Sequence, residues 1–320
     1  MQDKLIARAK ELLAEGKVQK VVGWKKGLFE DDITPAVFNS AEELDKDFVF
    51  NKFCKANLSK YLVKITREIE IAKSTTRMNN TMAKQRDPNA AEAPIPQAVV
   101  LVFLKPSDTY SFTQLLKENR ITRSDVYAIG VPCQDTLDGG EVCENCKNKK
   151  PVSCDELLGI DAEVETLESG RMAEVEKLEH MTADERDSFW KNEFSRCLRC
   201  NACRDICPAC TCEKCVFDNN KLYTSQKVAE TNFEESLFHI VRAWHVAGRC
   251  TDCGECSRVC PQHIPLYLLN RKFIKDINEI YGEYQAGSDM ETKPAMLTFN
   301  AEGDPETTIV YARSHDKEAE

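Results

Sequence analysis

The residues best suited to chemistry in this sequence are its cysteines, and most of them lie close together. The chain has 320 residues and 16 cysteines, 15 of which fall between Cys133 and Cys260. The first residues, Met1 to Leu5, lack the basic and apolar regions of a signal peptide, so we expect a cytoplasmic protein. Because a reducing cytoplasm keeps thiols reduced, this many clustered cysteines indicate metal or redox chemistry rather than disulfide bonds.

Eight of the cysteines form two runs with one spacing, Cys-x2-Cys-x2-Cys-x3-Cys-Pro, that lie 53 residues apart. This spacing is the bacterial signature of 4Fe–4S binding, in which three thiolates of a run bind one cluster and the fourth binds the other. Three thiolates at i, i+3 and i+6 can wrap a loop around three irons, while the fourth iron needs a ligand from elsewhere. The predicted ligands are Cys197, Cys200, Cys203 and Cys260 for cluster 1, and Cys250, Cys253, Cys256 and Cys207 for cluster 2.

Structural zinc is the alternative for these two runs, because zinc also binds paired Cys-x2-Cys segments. Zinc needs only two such pairs, so it has no use for a third cysteine and a Cys-Pro step that both occur twice. A zinc-stabilised scaffold would also be colourless. We therefore predict iron–sulfur clusters.

The remaining eight cysteines allow two further sites with four thiolates each. The sets that we consider are Cys133, Cys143, Cys146 and Cys154 for a cluster 3, and Cys54, Cys210, Cys212 and Cys215 for a cluster 4. The alternatives are that some of these thiols are simply buried or that one site holds zinc.

Hydrophobic patterns predict an α/β domain before the cysteine runs and an α-helical ferredoxin domain around them. Residues 98–104 and 126–131 are apolar runs typical of buried strands, and a helical pattern at 109–119 joins them into a βαβ unit. The predicted boundaries are 1–160 for the α/β domain, 161–181 for an acidic connector, 182–285 for the ferredoxin domain and 286–320 for an extended or mobile tail.

Shorter patterns place further elements. Apolar residues at helical spacing predict a helix over residues 56–72, and the polar stretch 73–96 predicts a surface loop. Thr182 and Glu185 form a capping-box pattern at a helix start. Apolar stripes at 233–244 and 266–280 predict two more helices.

The composition excludes two classes of protein. The formal net charge is −10, and no basic patch of the kind that nucleic-acid binders carry is present, so we expect no nucleic-acid partner. No segment approaches the roughly 18 consecutive apolar residues of a transmembrane helix, so we expect no transmembrane segment.

Several short segments together resemble the β-subunit family of coenzyme F420 hydrogenase and formate dehydrogenase. The family includes bacterial homologues that end in a two-cluster ferredoxin domain, and the resemblance runs from about residue 5 to residue 285. It is carried by the segments Val22 to Gly27, Asn51 to Cys54, Asn57 to Leu62, Lys105 to Asp108, Leu116 to Ile121, Ile129 to Cys133, Cys143 to Cys146, and Pro151 with Val152.

The resemblance implies an electron-transfer subunit with 4Fe–4S clusters, and many members of the family also hold FAD. If FAD is bound here, Lys105, Ser107 and Asp108 are the residues expected to bind it. The family pattern Lys-x-Cys-Asp-x-Arg has Ser107 and Tyr110 in place of its cysteine and arginine. Tyrosine cannot supply the planar, permanently charged hydrogen bonding of arginine.

Two functions follow as hypotheses. The first is an iron–sulfur electron-transfer subunit, without catalytic residues of its own, in a soluble multi-subunit oxidoreductase of the hydrogenase, formate dehydrogenase, heterodisulfide-reductase-like or transhydrogenase type. Its partners would be the other subunits and a second carrier such as ferredoxin. The alternative is an FAD-containing oxidoreductase that passes electrons between a two-electron carrier and its clusters.

Overall fold

The computed structural model describes residues 1–133, 146, 150–159, 170–218 and 232–294. Within these residues the chain begins with a sheet flanked by helices and continues with a helical part that carries both cysteine runs. The expected fold class, an α/β domain followed by an α-helical ferredoxin domain, is confirmed.

A mixed sheet organises the first part, and its described strands lie in the order β2-β1-β3-β4-β5. Strands β1 and β2 are antiparallel, whereas β1, β3, β4 and β5 pair in parallel. The strands are β1 (Lys20–Lys26), β2 (Ile33–Phe38), β3 (Val100–Leu104), β4 (Val126–Gly130) and β5 (Glu156–Leu157).

The burial of each strand follows from its sequence. Every residue of β3 is buried, as expected for an apolar strand that is covered on both faces. The pattern of β2 is mixed and contains Pro35, which lacks an N–H to donate and is therefore suited to an edge strand. The core of this part combines both kinds of element, with Trp24, Phe103 and Phe112 among its fully buried side chains.

The helices of this part are α1 (Gln2–Ala14), α2 (Ala41–Asp47), α3 (Ser59–Arg86) and α4 (Pro106–Lys117). The prediction of a loop over 73–96 is wrong for residues 73–86, which continue α3. Two causes explain the difference. Lys73 is buried, and its ammonium lies 2.5 Å from the Asp125 carboxylate. This ion pair anchors the helix at a point where the sequence has no apolar stripe to do so. The residues beyond it include Met, Ala, Lys, Gln and Arg, which favour helix intrinsically.

The second part is helical in its described residues. Its helices are α5 (Ala173–His180), α6 (Ala183–Ser195), α7 (Ala202–Asp205), α8 (Asn232–His245), α9 (Glu255–Arg258) and α10 (Leu266–Tyr281). The capping box of Thr182 and Glu185 is confirmed at the start of α6. Helix α5 occupies the end of the predicted acidic connector, whose residues 161–169 lie outside the described residues.

The two parts contact each other through α3 and α4. The Ser111 and Thr251 hydroxyl oxygens are 2.8 Å apart, and Arg249 Nε donates to Glu118 at 2.7 Å. Residues 286–294, predicted as extended or mobile, pack against α4: a Cβ at Gly287 would lie 1.9 Å from the Tyr110 carbonyl oxygen. The rest of the predicted tail, 295–320, lies outside the described residues.

Helix α3 is the longest described helix, and neither it nor any other helix of the described residues is apolar over a length that could cross a bilayer.

Candidate metal centres

The two cysteine runs adopt the same backbone conformation. In each run the residues two and four positions after the first cysteine have positive φ: Arg199 at 51° and Asn201 at 62°, then Asp252 at 58° and Gly254 at 72°. A short helix, α7 or α9, follows and carries the third cysteine. Left-handed backbone at a non-glycine residue costs of order 1–3 kcal/mol and persists where the surroundings impose it. The repeated cysteine spacing therefore corresponds to a repeated loop conformation whose left-handed residues carry backbone strain.

All four cysteines predicted for cluster 1 line one cavity. Its other walls include apolar or partly apolar side chains such as Phe238, Ile264 and Leu266. Burial raises the pKa of Cys197 to about 12 and also raises the pKa of Cys203. A thiol in such surroundings ionises when a metal binds it. The cysteines that line this cavity are Cys197, Cys200, Cys203 and Cys260.

The cysteines predicted for cluster 2 are also close together, although they come from both runs. Cys207, Cys250 and Cys253 line a second cavity that α4 closes with Ser111 and Gln114. The fourth thiol of this set is Cys256. Burial raises its pKa to about 11, and the charge of the nearby Cys207 contributes to this increase. Burial is also the main cause that raises the pKa values of Cys250 and Cys253, and the Cys207 charge adds to it.

A buried cation between the two runs indicates what these cavities hold. Arg242 of α8 is 2 % exposed, and all three guanidinium nitrogens lack a hydrogen-bond partner among the described residues. Burial lowers its pKa, but the charges of Cys256, Cys203 and Cys207 outweigh burial and raise it. An uncompensated buried charge costs several kcal/mol, so an anionic group is required nearby. An iron–sulfur cluster with four thiolates is such a group, and the residues fit it.

The distances between the thiols do not favour zinc. Four thiolates around zinc lie about 3.8 Å apart, because Zn–S bonds are about 2.3 Å and tetrahedral. Within the described ranges, the one group of three potential ligand atoms that lie within 4.8 Å of each other is Cys197, Glu235 and His239. Arg199 Nε already donates to both oxygens of that glutamate, at 3.0 and 3.1 Å. The arrangement thus favours a larger group in each thiol cavity.

The surroundings of cluster 1 include charged side chains that the sequence did not reveal. Burial disfavours the Glu235 carboxylate, but hydrogen bonds with His239 and Arg199 lower its pKa to about 2. Phe194 stacks on the His239 ring, with centroids 4.6 Å apart. Arg199 belongs to the first cysteine run itself, whereas Glu235 lies on α8 and only the fold brings it to Cys197.

The three residues considered for FAD are buried and engaged by the protein. The Lys105 ammonium donates to the carbonyls of Cys54, Lys55 and Ala56 at 2.9, 2.9 and 3.1 Å. Ser107 donates to Asp108, whose carboxyl is fully buried, and burial raises its pKa to about 6. Among the polar atoms of these three side chains, Asp108 Oδ2 lacks a hydrogen-bond partner in the described part of the chain, while the Lys105 ammonium is fully used by backbone carbonyls. The contacts of these residues therefore give no direct support for a bound flavin.

Cys54, Cys133 and Cys154 lie in the α/β part of the chain. Cys54 lies in the core of the α/β part, where burial raises its pKa to about 11, and it does not join the cavity of its expected cluster-4 partners. Cys133 follows β4, and Cys154 Sγ lies 3.3 Å from the position of a Gly130 Cβ. Of the expected cluster-3 ligands, Cys146 is among the described residues and Cys143 lies outside them.

Comparison with known proteins agrees with this geometry. Residues 193–264 match the family model described as a 4Fe-4S dicluster domain. This part of the chain is similar to 4Fe-4S dicluster domains. It contains both cysteine runs, the shared loop conformation and Arg242.

Two similar proteins are β subunits of formate dehydrogenases. The F420-dependent formate dehydrogenase subunit beta of Methanocaldococcus jannaschii is 33 % identical over 106 residues, which is 33 % of this chain and 27 % of that protein. The F420-dependent formate dehydrogenase 1 subunit beta of Methanococcus maripaludis is 32 % identical over 107 residues, 33 % of this chain and 26 % of that protein. The chain therefore spans about a quarter of the length of these relatives.

A third similar protein is the putative oxidoreductase YgfK of Escherichia coli, which is 29 % identical over 85 residues, 25 % of this chain and 7 % of that protein. The similarity to the two formate dehydrogenase beta subunits thus extends over about a third of this chain, and the match to the dicluster family model extends over residues 193–264.

Proposed function

We propose that this protein is an iron–sulfur electron-transfer subunit of a multi-subunit oxidoreductase. The observation that carries the proposal is the placement of Arg242, a buried cation without a hydrogen-bond partner in the described part, among thiols of both cysteine runs. Each set of thiols lines or adjoins its own cavity. The similarity to formate dehydrogenase β subunits supports the same role.

In this proposal the dicluster domain would hold two 4Fe–4S clusters, which would supply one-electron transfer. The ligands are Cys197, Cys200, Cys203 and Cys260 for cluster 1, and Cys250, Cys253, Cys256 and Cys207 for cluster 2.

The chain's own residues fix the thiols and keep water away. Phe238, Ile264 and Leu266 exclude water from the first cavity, and α4 covers the second. Arg242 supplies a fixed positive charge, and Asn270 Nδ2 lies 3.5 Å from Cys256 Sγ as a hydrogen-bond donor. Burial and hydrogen bonds to sulfur are the means by which proteins set cluster potentials.

The partners in this proposal are the other subunits of an oxidoreductase complex, and ferredoxin is a candidate second carrier. We propose the ferredoxin domain at 182–285, which includes the matched residues 193–264, and the α/β domain at 1–160 as the two functional units. A location in the cytoplasm fits clusters that require reduced thiols.

The experiment is anaerobic purification followed by iron, sulfide, zinc and flavin analysis per chain, with electron paramagnetic resonance of the reduced protein. We expect at least eight irons and eight sulfides, as two 4Fe–4S clusters require. Cys260→Ser should weaken cluster 1 and Cys253→Ser should weaken cluster 2, whereas Cys54→Ala should change neither. A colourless protein that contains zinc would disprove the proposal.

The same preparation tests the alternative function. No described contact of Lys105, Ser107 or Asp108 supports FAD binding. The proposed path for electrons therefore does not include a flavin. One FAD per chain, reducible by a two-electron carrier, would establish the alternative instead.

A further inference from the structure

Three cysteines outside the two runs line a cavity of their own. Cys210, Cys212 and Cys215 are among its walls, and its volume is about 440 Å³. They follow the first run directly with the spacing Cys-x-Cys-x2-Cys. The described residues place them where α3, the end of α7 and the end of α8 meet.

The loop that carries these cysteines is held on several sides. Lys60 of α3 donates to the Cys210 carbonyl, and Arg67 of α3 pairs with Glu213. At the end of the loop, Arg204 Nη1 donates to Asp218 at 2.6 Å.

An aromatic contact fixes the last turn of the loop. The Phe217 ring packs edge-on against Phe238 with centroids 4.8 Å apart. The three thiols are therefore presented by a loop with defined contacts on both parts of the chain.

The charge of the cavity is suited to an anionic group. Arg242 lines it with its nitrogens free of hydrogen bonds within the described part of the chain, and Cys210 is one of the thiols that raise the pKa of Arg242. Lys60 is a further basic side chain in the wall, whereas Arg249 is paired with Glu118, and Arg204 is paired with Asp205 and Asp218. Three thiolates with a metal group of low positive charge would carry a net negative charge that these cations balance.

We infer that Cys210, Cys212 and Cys215 bind an additional iron–sulfur cluster. A 4Fe–4S cluster can take three thiolates from one short segment and its fourth ligand from elsewhere. The cavity has room for such a cluster. These three thiols are not among the groups of three ligand atoms within 4.8 Å that the described residues contain, so the site is not arranged around a single zinc ion.

The site differs from the set expected from the sequence, because Cys54 is not one of its ligands. It also adjoins the proposed cluster 2 ligands, because the Cys210 backbone N–H donates to the Cys207 carbonyl at 3.1 Å. The inference thus extends the proposed function, on which it rests, by lengthening the path for electrons on the α3 side of the dicluster domain.

The test is the double variant Cys212→Ser/Cys215→Ser in the full chain, purified anaerobically beside the wild type. Cys212 is exposed and Cys215 is half-buried, so the change should leave the fold intact. We expect the variant to contain about four irons and four sulfides fewer than the wild type. The resonance signals of clusters 1 and 2 should remain. Cys54→Ala is the control and should keep the wild-type iron content.

Each result separates this inference from the proposed function. Equal iron in the double variant and the wild type would overturn the inference, as would the loss of one zinc instead of iron. Cys260→Ser and Cys253→Ser report on clusters 1 and 2 independently. If those two variants also keep all their iron, the proposed function itself fails.

Discussion

Arg242 is a permanent cation that the fold has removed from water and placed among thiols. Its role in the proposed function can be measured through cluster potentials, because a nearby positive charge favours the reduced, more negative state of a cluster. A unit charge several ångströms away, at an effective dielectric constant near 20, changes a one-electron potential by on the order of 100 mV.

The corresponding prediction concerns Arg242→Met. We expect the midpoint potential of at least one motif cluster to fall by on the order of 100 mV. A redox titration followed by electron paramagnetic resonance measures this change. Arg123→Met, which removes a 43 % exposed arginine of the α/β part, is the control and should shift neither potential. Potentials unchanged in Arg242→Met would show that the guanidinium does not act on the clusters.

At the scale of elements, α3 shows how a single buried ion pair can extend a helix. Lys73 and Asp125 are 8 % and 4 % exposed in their side chains. Removing one partner of such a pair leaves a buried charge and costs about 3–5 kcal/mol. Lys84, farther along the same helix, pairs with Glu92 beyond the helix end, and both side chains of this pair are exposed.

We therefore expect Lys73→Met to lower the free energy of unfolding of the α/β part by about 3–5 kcal/mol. Lys84→Met is the matched control, and it should cost no more than about 1 kcal/mol because its pair is exposed. Urea unfolding followed by tryptophan fluorescence measures both in a Trp190→Phe/Trp244→Phe background, in which the remaining tryptophan, Trp24, lies in the core of this part. Equal costs for the two variants would refute the anchoring role of Lys73.

The elements also show what the sequence could predict. Periodicity and caps predicted the strands β3 and β4, the start of α6 and the extent of α10, because apolar spacing or a local capping pattern determines them. Two features depended on tertiary contacts. The end of α3 is anchored by an ion pair with a residue 52 positions away. The apolar stripe of α8 leaves Phe233 and Trp244 exposed at 72 % and 62 %, which a sequence pattern alone does not distinguish from core.

The candidate site divides in the same way. Thiol spacing predicted which cysteines the fold brings near each other, because the repeat imposes the same loop twice; that these cysteines bind clusters stays a prediction. Glu235 and Arg242 could not be predicted, since charged residues on a helix are usually solvated. Cys54 was grouped with Cys210 on number alone, and the sheet core keeps it from that cavity.

At the scale of the whole molecule, α4 belongs to the sheet and also covers the cavity of cluster 2. The pair of Glu118 and Arg249 joins the two parts at this point, with side chains 13 % and 25 % exposed. A partly buried hydrogen bond between charged groups contributes about 1.5–3 kcal/mol.

Glu118→Ala should therefore loosen the cover over cluster 2. We expect iron release to a chelator to become about tenfold faster for that cluster, since 1.4 kcal/mol corresponds to a factor of ten. Absorbance of the iron–chelator complex measures the rate. Glu11→Ala removes an exposed partner, 61 % accessible, and should leave the rate unchanged. A rate equal to that of the wild type in Glu118→Ala would mean that α4 does not protect the cluster.

The crossing of the ligand sets has a consequence for how this part of the chain assembles. In the proposed sets, one cluster joins Cys197 to Cys260 and the other joins Cys207 to Cys250. The two clusters are therefore nested cross-links between the same two cysteine runs. A cross-link stabilises chiefly by restricting the unfolded chain. Neither cross-link can form from one run alone, so a chain cleaved between the two runs would not contain all four ligands of either cluster in one fragment. Metal incorporation and folding of this segment would then be a single cooperative event. In the metal-free chain, neither cross-link would hold the two cysteine runs together.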